Sequence, residues 1–143
     1  MKYLIFIFVG LFSTGCKTQQ LSFTSGAIQK SYPGIEEGET SISFNLTTSS
    51  KKKDIGTFTK AWYNSICYEI SKVSYKTEND NLVVTLHSQE PPSEFRSSKS
   101  PIPLTEETKL VLEHKTIKET IEYIGIKNIK ALRPISFPSA PPE

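Results

Sequence analysis

The chain has 143 residues, 17 basic and 15 acidic side chains and a formal charge of +2. That is the length of one domain, long enough to bury about two-thirds of its unfolded surface without disulfides or metal. So balanced a charge excludes a dedicated nucleic-acid binder, which carries a strong basic excess.

Met1-Lys2 is a short positive start, and Tyr3 to Phe12 is an uncharged apolar run. Its ten residues fall well short of the ~20 that span a bilayer, and fit the hydrophobic region of a secretory leader. Small residues Ser13, Thr14 and Gly15 follow, then Cys16.

Thr14-Gly15-Cys16 resembles the lipobox of bacterial lipoproteins, two small residues before an acylated cysteine, although Ser13 stands where the pattern usually has leucine. The resemblance implies a diacylglyceryl thioether on Cys16 and cleavage by signal peptidase II between Gly15 and Cys16, often with further acylation, such as palmitate, on the new amine. Two or three acyl chains on one residue make a lasting anchor, because each buried methylene contributes about 0.8 kcal/mol. Residues 1–15 are then the signal peptide, and 16–34 the lipid attachment and tether. Lys17-Thr18-Gln19-Gln20 carries no acidic cluster of the kind that marks surface export. The expected location is the cell envelope, on the periplasmic face of an outer membrane.

Over the whole chain, four alanines stand against 32 serines and threonines, 15 isoleucines and 14 phenylalanines and tyrosines. Helices favour alanine and unbranched side chains, whereas strands favour β-branched and aromatic ones. Thr40–Thr48 alternates cleanly, with Ile42, Phe44 and Leu46 on one face, between Pro33-Gly34 and the polar stretch Ser49–Asp54. Ile55–Tyr63 is a second strand and Asn64-Ser65 a tight turn. Ile66, Tyr68 and Ile70 then alternate, with a phase shift near Ser71-Lys72 before Val73 and Tyr75. Glu78–Asn81 is a turn by composition, so Leu82–His87 closes a hairpin.

Gln89–Pro103, with four prolines and four serines, is a long connection. Lys109–Lys115 is a strand. Thr116–Gly125 carries two signals: capping-box spacing at Thr116 and Glu119 with Ile117, Ile121 and Ile124 at helical intervals, or a hairpin turning near Ile117-Lys118. The surrounding strands favour the hairpin, since two helical turns are weak alone. Ile126–Leu132 is the last strand, and the Pro-rich residues 134–143 form an extended tail. Residues 35–133 are thus expected to fold as an all-β, immunoglobulin-like or related antiparallel sandwich of about seven strands. The Cys…Trp…Cys spacing of antibody domains is absent. The layout is similar to that of small β-rich lipoproteins of Gram-negative bacteria, a likeness that implies no particular activity.

Candidate chemistry is sparse. Cys67 with His87 and His114 is the one thiol–imidazole set, but no cysteine-enzyme motif surrounds it. Cys67 falls on the polar face if Tyr68 and Ile70 point inward and on the core face in the reverse phase, and a structural thiol is the plainer reading. The two histidines are 27 positions apart with no neighbouring ligand, so no metal centre or cofactor is expected. Glu36-Glu37 and Glu106-Glu107 lie in loops, where adjacent carboxylates serve solubility. Lys51-Lys52-Lys53 falls short of the four to eight charges of a lipid-binding cluster and reads as a solvated tip. Trp62, the only tryptophan, is expected to pack inside. Asn45-Leu46-Thr47 matches a glycosylation acceptor by chance.

The expected function is a membrane-anchored, non-enzymatic binding or envelope-structural module. Membrane lipid is its partner through the acyl anchor, and an envelope protein is the further partner class. The alternatives are an envelope enzyme or thiol-dependent factor using Cys67, or an assembly subunit that binds a partner through an edge strand or the C-terminal tail.

Overall fold

The computed structural model describes residues 21–34, 38–92 and 99–136. The leader, Gly15, Cys16, Glu36-Glu37 and the end of the tail lie outside the described residues. The fold is all-β, built from β1 (Ser25–Tyr32), β2 (Ser41–Thr48), β3 (Thr57–Tyr63), β4 (Ile66–Glu69), β5 (Lys72–Glu78), β6 (Asn81–Gln89), β7 (Leu110–Lys115), β8 (Ile121–Ile126), β9 (Ile129–Ala131) and β10 (Ile135–Ser136). A single 3-10 turn, Lys52–Asp54, interrupts the β2–β3 connection.

One sheet runs β10-β1-β2-β6-β5, with β9 also on β1, and the other runs β4-β3-β7-β8. The order β1-β2-β6-β5 facing β4-β3-β7-β8 is the immunoglobulin arrangement, A-B-E-D against C′-C-F-G. The core lies between them. Alternation turns Ile42, Phe44 and Leu46 of β2 and Val84 and Leu86 of β6 inward, to meet Ala61, Tyr68, Leu110, Leu112, Ile124 and Ile126 from the other sheet. Phe44 sits at the centre, edge-on to Tyr63 at 6.5 Å and to Tyr68 at 5.7 Å.

Two turns follow their chemistry. Asn64 and Ser65 have φ of 51° and 62°, and Asn79 and Asp80 have 48° and 63°. Positive φ at both central residues is the type I′ geometry that matches strand twist. A serine there bears left-handed strain of about 1–2 kcal/mol, whereas glycine bears none but loses about 0.5–1 kcal/mol of chain entropy. Ser65→Gly is therefore expected to stabilise the fold by about 0.5–1 kcal/mol, read as a higher urea midpoint at unchanged slope.

Three expectations need correction. Ser25–Tyr32, assigned to the tether, is strand β1, paired with β2 along its length and with β9 and β10 on its other side. The expected last strand, Ile126–Leu132, is shorter and in the other sheet: Ile126 ends β8 on β7, while Ile129–Ala131, β9, crosses to β1. The Asn128 side-chain amide donates to the Thr24 carbonyl, and the Gly26 amide donates to the Asn128 carbonyl. These parallel pairings make the first sheet mixed, and ten strands replace seven among the described residues. The start of the Pro-rich tail also contributes, as β10 against Ser31 and Tyr32. At Thr116–Gly125 the hairpin reading holds, with Glu119 at φ 64° in its turn and β8 returning alongside β7.

Candidate functional site

Strand β3 is set out of phase by a bulge. Phe58 faces His114 and Lys60 faces Glu113, which leaves Thr59 as the extra residue. Phe58 and Ala61 therefore point into the core, and Trp62 points out. Trp62 is buried, as expected, but on the far side of its sheet from the core. Its neighbours across the strands are Cys67 and Val111, and its ring stands 6.1 Å from Tyr123.

Val111 shares this outward row and is fully buried. The last residues before β7 approach this face at Gly125, which pairs with Val111. The Thr108 methyl lies where a side chain on Gly125 would project, 2.9 Å from the ideal Cβ position, and Ile102, Leu104 and Thr108 are half-buried.

The thiol–imidazole set does not assemble. Cys67 is half-buried on the outer face of the β4-β3-β7-β8 sheet, in register with Trp62. His114 is on β7 but turned inward and buried. Its Nε2–H donates to the Ile55 carbonyl, its ring centre is 5.0 Å from that of Phe58, and a Glu122 carboxylate oxygen is 4.0 Å from Nδ1. His87 lies on the outer face of the other sheet, where its Nε2 is 3.4 Å from the Ser74 hydroxyl. Three faces separate the three groups. The arrangement makes His114 a strut that ties the β2–β3 connection to β7.

Among the described residues, no three His, Cys, Asp or Glu side chains converge as metal ligands. Glu106 and Glu107 are exposed in the β6–β7 connection. A shallow groove of about 660 Å³ borders Asn45, Thr47, Glu78, Lys109, Lys127 and Lys130, with charge of both signs.

The most distinctive surface is the end of the sandwich at which the described chain begins. The Thr48 hydroxyl donates to the Ser22 carbonyl, and Leu21 is buried in the core. The β2–β3 connection leaves from Thr48. Rather than a solvated hairpin tip, it is a crossover between sheets, pinned by fully buried Ile55. Lys51, Lys52 and Lys53 stand exposed on its outer side, with the Lys52 ammonium 4.8 Å from the Tyr75 ring centre.

Gly56 brings this connection against the Lys115 carbonyl and Thr116, at the base of the β7–β8 turn. That turn displays Ile117 and Lys118, and Ile121 follows it. The two isoleucines are 60% and 58% exposed, the most exposed large apolar side chains described. The sequence carries this signal only as apolar spacing in an ambiguous segment, which does not reveal that the lysine run and the isoleucines share one end.

Comparison with protein-family models, with curated proteins and with solved structures finds no match for this chain.

Proposed function

We propose that the protein is an exported lipoprotein: acyl chains on Cys16 anchor it, and the β-sandwich acts at the envelope as a non-enzymatic binding or structural module. The observation that carries this reading is the apolar run Tyr3–Phe12 ending in Thr14-Gly15-Cys16. Its support from the fold is that Leu21, only five positions beyond that cysteine, is already buried in the core. The non-enzymatic role is supported by the separation of Cys67, His87 and His114 onto three faces. An outer-membrane location facing the periplasm is the corresponding proposal, motivated by the absence of acidic residues in Lys17–Gln20.

Intact mass of the protein recovered from membranes tests the anchor. The expected product lacks residues 1–15 and carries a diacylglyceryl group on Cys16, with or without a further acyl chain. In Cys16→Ala that product is lost and the uncut precursor accumulates. A mature chain with an unmodified Cys16 thiol, or one cut elsewhere, overturns the reading.

A further inference from the structure

We infer that the end of the sandwich bearing Lys51–Lys53, Lys115, Ile117, Lys118 and Ile121 is a membrane-seating surface, fitted to the anionic headgroups of the bilayer that holds the anchor. The inference rests on the lipoprotein reading and adds the orientation of the domain to it.

The first argument is reach. From Cys16 to Leu21 is five residue steps, about 17 Å when fully extended. Leu21 is fixed in the core, and Ser22 is hydrogen-bonded to Thr48. Strand β2, with eight residues, runs about 27 Å from that point toward the opposite end. A lipid-bound Cys16 therefore holds the Thr48 end close to the headgroups, while the Asn64-Ser65 turn, at the far end of β3, stands away from them. The short tether converts an anchor into an orientation.

The second argument is what that end displays. Lys51, Lys52, Lys53, Lys115 and Lys118 are all exposed, and the contact of Gly56 with Lys115 and Thr116 places both groups on one end. Five lysines reach the four to eight typical of polybasic lipid-binding clusters, which three alone do not. The acids of this end are Asp54, Asp80, Glu119 and Glu122, the last with a carboxylate oxygen 4.0 Å from the His114 ring. Lys76 and Glu78 neutralise one another at 2.7 Å, and that hydrogen bond raises the Lys76 ammonium above its ordinary value. Lysines thus outnumber unpaired carboxylates. Ile117 and Ile121 extend beyond them, apolar groups of the kind that enter the headgroup boundary once electrostatic attraction has brought a surface close.

The test uses the wild-type acylated protein in phosphatidylcholine vesicles with and without phosphatidylglycerol. Lysines are labelled by a brief amine-reactive pulse and read by mass spectrometry. Lys51–Lys53 and Lys118 are expected to react several-fold more slowly on the anionic vesicles than in non-ionic detergent, while Lys72, on the distal half of the domain, is unchanged. High salt shrinks the protection, because it screens exposed charge. The acylated double variant Ile117→Asp/Ile121→Asp, altered only at exposed positions, also loses protection. If the protein floats with the vesicles but Lys51–Lys53 and Lys118 react as freely as in detergent, the seating fails and the anchor stands. If the protein does not float with the vesicles, the anchor reading fails and takes the seating with it.

Discussion

Phe44→Ala is expected to lower the unfolding free energy by about 3–5 kcal/mol, the range for removing a buried aromatic ring. Phe44 is fully buried on β2, the strand flanked by β1 on one side and β6 on the other, with Ile28 and Leu86 as its cross-strand neighbours. Its ring edges meet Tyr63 and Tyr68 from the opposite sheet. Deleting it leaves a cavity that no single neighbour can fill, because those neighbours belong to two sheets whose spacing the rest of the core fixes. Domains of this size are stable by about 5–15 kcal/mol, so a large fraction of the total is at stake. Phe44→Leu keeps much of the volume and is expected to cost under about 2 kcal/mol. Urea unfolding followed by tyrosine and tryptophan fluorescence checks both values. An alanine variant losing less than about 1 kcal/mol would show that the two sheets do not meet at this ring.

The strands that bury one face fully were legible, and the reason is period two. In β2 from Ser41 to Thr47, and in β6 from Val84 to His87, apolar and polar residues alternate in step with buried and less buried positions. Strand β1 hides because its inward row is Gly26, Ile28 and Lys30, a single large apolar residue among three. It is a strand through its neighbours, bonded on both sides, rather than through its own pattern. The β8–β9 transition hides for another reason: Ile124, Ile126 and Ile129 read as continuous apolar spacing, yet the chain changes sheets between the last two. The phase shift near Ser71-Lys72 marks the corresponding passage from β4 to β5.

The face of Trp62 was not legible because a bulge inverts it. Counting by twos from Phe58 places Lys60 and Trp62 in the core. The extra residue Thr59 moves Ala61 and Tyr63 there instead and leaves Trp62 on the outer face of the sheet, beside Tyr123. The phase of Cys67 was open for the same kind of reason, since large apolar residues flank it on both sides. Burial of Tyr68 turns it outward. The seating surface depends on contacts between residues about sixty positions apart, Gly56 with Lys115 and Thr116, which no local pattern encodes. The lysine run and the exposed isoleucines were each visible, and their proximity was not.

Gly56→Ala is expected to destabilise the protein by about 2–5 kcal/mol, from left-handed strain of about 1–2 kcal/mol together with overpacking of about 1–3 kcal/mol. Gly56 has φ +80°, and an ideal Cβ there would lie 2.3 Å from the Lys115 carbonyl oxygen, 3.1 Å from the His114 Nε2 and 3.2 Å from the Thr116 carbonyl carbon. Two of these three atoms are backbone, and the third belongs to a buried ring already bonded to Ile55. None can swing aside as a flexible side-chain tip would. The two causes separate by experiment. Asparagine tolerates the left-handed region far better than alanine but also carries a Cβ, so Gly56→Asn is expected to remain destabilised by more than about 1 kcal/mol. Recovery of wild-type stability in Gly56→Asn would mean that backbone conformation, and not close approach, fixes glycine here. The close-approach account also predicts where the damage lies. The β2–β3 connection must lift from the β7–β8 turn, so amide exchange at Ile55 and Thr116–Thr120 rises well above that of β2 and β6, whose ladders the substitution does not touch.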